Sequence, residues 1–116
     1  MLPAGELRHR VSIESLTEVD DGHGGFIDTW ARVQERMPAR VRPLTGRDLE
    51  TAKQRDPRIS HEVAVRYWRN YHTDLDGGRA RLIYHERKDR PFEVIGPPID
   101  VNERHEDLLL MCREQQ

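Results

Sequence analysis

Leu7-Arg8-His9-Arg10-Val11-Ser12-Ile13-Glu14 alternates without a break. Leu7, His9, Val11 and Ile13 share one face, and Arg8, Arg10, Ser12 and Glu14 share the other. Period two predicts a strand with one side on a core and one in water. A strand this early, followed by further short alternating runs, predicts a small sheet structure tied down at its first element.

The later runs are of the same kind. Phe26 to Val33 carries Phe26, Ile27, Trp30 and Val33 as apolar anchors, with an imperfect alternation that predicts a bulge or bend. Pro38 interrupts the chain, and Ala39, Val41 and Pro43 then oppose Arg40, Arg42 and Leu44. Ser60 to Trp68 sets His61, Val63, Val65 and Tyr67 against Glu62, Ala64, Arg66 and Trp68. Ala80, Leu82 and Tyr84 face inward, with Arg79 and Arg81 outward. Phe92 to Ile95 returns, and Gly96-Pro97-Pro98 is expected to end it, because neither proline can donate to a ladder. Leu108 to Cys112 is apolar on both faces, which suits a central or covered strand.

Between these runs lie loops and one short helix. Residues 16 to 25 read as an acidic, glycine-rich loop, Asn70 to Gly78 as a long turn, His85 to Arg90 as a hairpin tip, and 99 to 106 as a polar linker. Thr45 to Asp48 has the spacing of a capping box, opening a helix that carries Leu49 and Ala52 and stops before Pro57. Its apolar stripe is thin and an isolated helix of ~10 residues is marginal, so the segment is expected to gain order from a partner. No strand alternates with a long helix, which excludes a parallel α/β fold. The expectation is a mostly β chain: a small antiparallel β-barrel or sandwich of about seven strands, with long loops and one short helix, as a single domain over residues 1–116.

Composition narrows the function. The chain has 116 residues, 35% hydrophobic and 34% charged, so the core is modest and partner subunits are expected to add stability. The 19 basic and 21 acidic residues give a formal charge of −2, without the basic excess of an electrostatic nucleic-acid binder. Seventeen of the 19 are arginine, whose planar fork suits interface pairing. The lone cysteine, Cys112, excludes an internal disulfide framework. No apolar stretch approaches the ~20 residues that cross a bilayer, and no secretory signal is visible, so a soluble chain made in a cytoplasm is expected.

The residues that carry chemistry elsewhere are scattered here. His9, His23, His61, His72, His85 and His105 show no metal-ligand spacing, and His9 and His61 lie on otherwise apolar faces, as core histidines do. Cys112 follows an apolar run and reads as a buried structural thiol. Asp20-Asp21 and Glu103 with Glu106-Asp107 read as solvated loop charge. No phosphate loop, dinucleotide fingerprint or nucleophile elbow is present, so no enzyme, no cofactor and no metal is expected. Arg47, Lys53, Arg55 and Arg58 cluster in the segment after Leu44. They suit a solvated helix face, or contact with a polyanion or an acidic neighbouring subunit.

Four stretches in order resemble the phage head–tail joining family, also called head-closure, stopper or head–tail adaptor proteins. They are Gly5 to Ile13; Asp28-Thr29-Trp30 after a glycine-rich loop; Val41-Arg42-Pro43-Leu44-Thr45-Gly46-Arg47-Asp48; and His61 to Tyr67. Phe92 to Ile95 and Asp100 to Cys112 fit its tail. Pro38 and the polar hairpin His85 to Asp89 depart from the pattern. The resemblance covers nearly the whole chain and brings no catalytic residues.

It implies a structural virion neck protein of a phage or phage-like particle, a gene transfer agent included. Copies would form a ring, twelve-fold by family analogy, between the portal and adaptor above and the tail terminator or tail proteins below. Such a ring extends the channel for double-stranded DNA and retains the packaged genome, with no membrane involved. On this reading Arg47, Lys53, Arg55 and Arg58 face the channel or a neighbouring subunit, and Arg40 and Arg42 form an outer-face interface. The alternative is a small-barrel nucleic-acid-binding protein, using Arg40, Arg42, Arg66, Arg79 and Arg81 with Trp68 and Tyr71 for stacking.

Overall fold

A computed structural model of the chain describes residues 3–75, 80–86 and 88–115. Among the described residues, six strands close into an antiparallel barrel: β1 (His9–Asp20), β2 (Phe26–Pro43), β3 (His61–Arg66), β4 (Ala80–His85), β5 (Asp89–Asp100) and β6 (Asp107–Glu114). Around the barrel they run β1-β2-β3-β6-β5-β4, and β4 returns to β1. Two short helices are inserted, α1 (Gly46–Arg55) and α2 (Tyr71–Asp74). The expected mostly β barrel with one short helix of real length is therefore what forms.

The alternating faces fall as the sequence patterns require. Val11, Ile13, Val63, Val65, Leu82 and Phe92 point inward and are fully buried. Closure gives every barrel strand two partners and removes sheet edges within the barrel. Beyond β3, Tyr71 and Leu75 of the α2 segment join the same interior, with Tyr67 and Trp68 packed against it. The Trp68 Nε1–H donates to Asp74 Oδ2 at 2.7 Å. The expected turn residues Asp76-Gly77-Gly78, and Arg79 with them, lie outside the described residues.

Three expected breaks are continuous strand instead. β1 does not stop at Glu14; it runs to Asp20, paired with β2 from Leu16↔Trp30 to Asp20↔Phe26. Only residues 21–25 turn. Asp20 Oδ1 accepts the Gly22 N–H and Asp21 Oδ1 accepts those of His23 and Gly25, while Gly22 and Gly24 take positive φ. Likewise Pro38 does not divide β2. It pairs with Arg10 just before the β3 ladder begins at Ala39, where β2 has one neighbour and needs one donor fewer. The two segments read on either side of it are one strand of 18 residues.

The third is Gly96-Pro97-Pro98. β5 pairs through Ile95↔Met111, loops these three residues out, and re-enters at Ile99↔Leu109. Gly96 supplies φ +73, and the prolines give up no ladder bond because the ladder skips them.

β2 bends by a bulge of its own. From Ile13 to Val11 on β1, two steps face three on β2, Gln34 to Met37. Arg36 sits there at φ +47. Fully buried Ser12 fixes the distortion: its Oγ accepts the Arg36 N–H at 3.0 Å and lies 2.7 Å from His85 Nε2.

Past Ser15 on β1 and before Ala39 on β2, the two strands pair only with each other among the described residues. β4 pairing on β1 ends at Ser15, and β3 pairing on β2 ends at Ala39. The result is a two-stranded ribbon projecting from the barrel. It stretches the molecule to 51 × 32 × 29 Å and raises the radius of gyration to 14.9 Å, against about 13 Å for a compact chain of this length.

α1 is formed and seated in the single chain. Ala52 buries against Leu44, Ile59 and Ile95, with Leu49 and Met111 beside them, making a second small core outside the barrel. Thr45 makes no side-chain cap, so the expected capping box is not used; Asp48 approaches Arg42 instead, at 3.8 Å. The doubly apolar β6 is central, between β3 and β5, and its outward Met111 lies under this second core.

Candidate functional site

The arginine-bearing outer face centres on a carboxylate. Glu62 stands on the outer side of β3, 8% exposed. Its Oε1 accepts from Arg40 at 3.3 Å and Arg42 Nε at 3.2 Å, and Oε2 accepts from Arg42 at 3.1 Å. The ladder brings them together, because Arg42 pairs with Glu62 across β2 and β3 and Arg40 is two residues along the same face. The hydrogen bonds and charge of Glu62 push the Arg42 guanidinium further above its ordinary value. Arg40 also approaches Glu6 at 3.4 Å. Arg40 and Arg42 are thus committed to holding β2, β3 and the N-terminal turn together.

The other outward arginines are committed too. Arg66 pairs with buried Asp107 at 2.9 Å. Arg81 donates to Glu14 at 2.7 Å and lies over the Trp30 ring, 4.4 Å from its centroid. Trp68 is half-buried and hydrogen-bonded, and Tyr71 is buried in the core. Among the described residues of the arginine–aromatic face that a single-strand-binding barrel needs, Arg40, Arg42, Arg66, Arg81, Trp68 and Tyr71 are taken up internally.

The basic segment after Leu44 divides. Arg58 donates to Asp56 at 2.9 Å and reaches Glu93 on β5 at 3.5 Å. The hydrogen bonds from Arg58 hold the Asp56 carboxyl down at about 2. Arg47, Lys53 and Arg55 are exposed on α1, with no ion pair among the described residues. Arg55 and Asp56 rim a groove of about 300 Å³ between α1 and the outer face of β5 and β6. Its walls are Ile59, Ile95, Pro97, Ile99 and Met111. The proline bulge of β5, which the pattern reads as a strand end, is one side of this groove.

Only the β2 half of the ribbon is legible as strand; residues 16–20 read as loop but pair with it. The pattern casts Phe26, Ile27, Trp30 and Val33 as apolar anchors, yet Phe26 is 70% exposed and Ile27 56%, with Val19 beside them also exposed. These residues point off a ribbon that has left the barrel. The available signal is the matching of acidic and apolar residues on both sides of the glycine turn, which pairs Asp20 with Phe26 and Val19 with Ile27.

His9, His61 and Cys112 are held within the fold. His9 Nδ1 accepts the Val41 N–H at 3.1 Å, and its ring meets Tyr84 edge-on. His61 Nδ1 lies 2.8 Å from Ser60 Oγ, and burial pushes the His61 pKa down. Cys112 is wholly buried, and burial alone pushes its thiol up. Among the described residues, no group of three His, Cys, Asp or Glu side chains could hold a metal ion. No described helix is long and apolar enough to cross a membrane.

The sequence profile of the phage head completion proteins matches residues 2–115. The chain belongs to that family. Its members are structural proteins of the phage head rather than enzymes, so this head completion protein has a structural, head-closing role in the virion. The fold has a solved counterpart: the solution structure of protein SF1141 from Shigella flexneri 2a superposes with a TM-score of 0.70 at 21% identity, over 97% of this chain and 96% of that one. That likeness concerns the fold. No curated protein matches the chain.

Proposed function

We propose that copies of this head completion protein close into a ring at the virion neck, beneath the portal and its adaptor and above the tail terminator or tail proteins. The ring extends the channel for double-stranded DNA and retains the packaged genome. The family match over residues 2–115 carries this reading.

The geometry supports it in two ways. An apolar ribbon left open on a barrel with a buried core is a surface made for another subunit. A charge of −2 suits a conduit that lets DNA pass without gripping it. Arg47, Lys53 and Arg55 on α1 face the lumen or the adjoining subunit, and Arg58 braces that segment against β5. Arg40 and Arg42 border the same outer face.

Electron microscopy of particles lacking the protein tests the proposal. Heads that have lost their DNA and carry no tails are expected. Filled heads that keep their genome and still attach tails would overturn it.

A further inference from the structure

We infer that the ring is closed head to tail, with the ribbon tip of one copy seated in the α1–β5–β6 groove of the next and Phe26 as the anchor. The inference rests on the ring reading and adds the contact that builds it.

Both halves stand open in one chain. Phe26, 70% exposed at the ribbon tip, sits opposite Asp20 and shares its face with Asp28 and Glu18. An aromatic ring of this kind offers ~150–250 Å² to a partner. A two-stranded ribbon without further support is marginal in water, so a seat for it contributes to its own folding. The groove complements it in size, polarity and charge. A cavity of ~150 Å³ takes a benzene ring, and this one measures about 300 Å³ between isoleucine, proline and methionine walls.

Charge sets which way the pieces meet. The ribbon brings Glu18, Asp20, Asp21 and Asp28 with no lysine or arginine from residue 16 to 31. The groove rim offers Arg55, and Lys53 and Arg47 follow on the same helix. The carboxylate on that rim, Asp56, is already held by Arg58. Two different patches of one surface meeting in this way form a heterologous contact. Repeated, such a contact closes a ring or runs into a filament.

Disulfide trapping decides it. Phe26→Cys and Pro97→Cys place thiols at the ribbon tip and on the groove wall, both exposed, while Cys112 is wholly buried. On oxidation, in assembled particles and in the purified chain at high concentration, the double variant is expected to give a series of covalent dimers, trimers and longer species. A mixture of the two single variants is expected to give the mixed dimer, tip thiol to groove thiol. It forms at least tenfold faster than the tip-to-tip dimer of the Phe26→Cys variant. Asp28→Arg and Arg55→Glu each weaken self-association at least tenfold, and the two in one chain restore it.

If the copies self-associate but the tip-to-groove bond forms no faster than the tip-to-tip bond, this contact is wrong and the ring stands. If the copies neither associate nor cross-link in either setting, both readings fall. A tip thiol that bonds only to a different particle protein would give the ribbon to that partner and overturn the inference.

Discussion

Val65 gives the most demanding test of the barrel. It points into the interior with no exposed surface, paired with Ala39 on β2 and Leu108 on β6. Among the described residues no lysine or arginine is buried. Replacing it by aspartate removes a buried aliphatic side chain, about 2 kcal/mol. Burying even a neutral carboxyl there costs about 1–3 kcal/mol more. The loss near pH 4 is thus about 3–5 kcal/mol, from a total of about 6–17 kcal/mol expected of 116 residues.

The pH dependence is the sharper part. The apolar interior favours the protonated acid, so the folded pKa lies above the unfolded value of about 3.9. The unfolded chain releases its proton first, and stability falls as pH rises above about 4, by up to about 1.4 kcal/mol per unit. At neutral pH the added penalty approaches what the fold can supply. Val65→Asp is expected to be unfolded at pH 7 and to recover structure toward about pH 4.5, against the trend of the parent chain. Val65→Thr, nearly isosteric, is expected to lose about 1–3 kcal/mol and about 4–12 °C of Tm without that dependence. Circular dichroism melts from about pH 4 to 8 check both. A Val65→Asp chain melting within about 2 °C of the parent at pH 7 would refute the inward placement of this face.

Glu62→Gln keeps shape but removes the charge shared by Arg40 and Arg42. With Arg42 45% exposed, the loss is discounted from the fully buried case to about 2 kcal/mol, and a urea midpoint change worth under about 0.5 kcal/mol would show the cluster to be ornamental. Asp56, held down at about 2 from an ordinary 3.8, adds stability above about pH 4 that disappears as pH falls through about 2. Arg58→Ala is therefore expected to separate from the parent above about pH 4 and converge with it below about pH 2 in urea titrations; a constant gap across that range would contradict the pairing. Cys112, buried and with its thiol pushed up, is expected to resist disulfide reagents in the native state and to label at the rate of global opening. Prompt labelling without denaturant would mean that β6 does not hold its central place.

Much of this fold is written in period two. The inward sets of β1, β3 and β4 are read directly from alternation, because each strand has one apolar and one polar face. The breaks are harder, and each for a physical reason. A proline is forbidden only where the ladder asks for an N–H. The β3 ladder starts one residue after Pro38, and the β5–β6 ladder passes over Pro97 and Pro98. Acidic residues and glycines after Leu16 read as loop because local composition cannot report a cross-strand partner. The basic residues of α1 are visible as a cluster from sequence alone. Arg58, just beyond the helix, is spoken for by Asp56 two residues before it and by Glu93, 35 residues on, and no local pattern supplies the second partner.

Where the chain departs from what a lone domain would choose is itself informative. The ribbon exposes Phe26 and Ile27, has no further strand partner among the described residues and projects from the barrel; a monomer under selection for solubility alone would shorten or charge such an element. The β5 bulge opens a groove that an uninterrupted β5–β6 ladder would have filled. Elsewhere the local rules hold: the barrel is closed, its interior is apolar, and Arg40, Arg42, Arg66, Arg81 and Arg90 find carboxylates. Two such features, one protruding and acidic, one recessed and rimmed by an arginine, are the pattern expected when the completed structure includes the next copy. The same logic predicts the order of events: the barrel folds alone, and the ribbon tip gains its protection from exchange on assembly. Equal amide protection at residues 17–29 in the free and assembled protein would break that link.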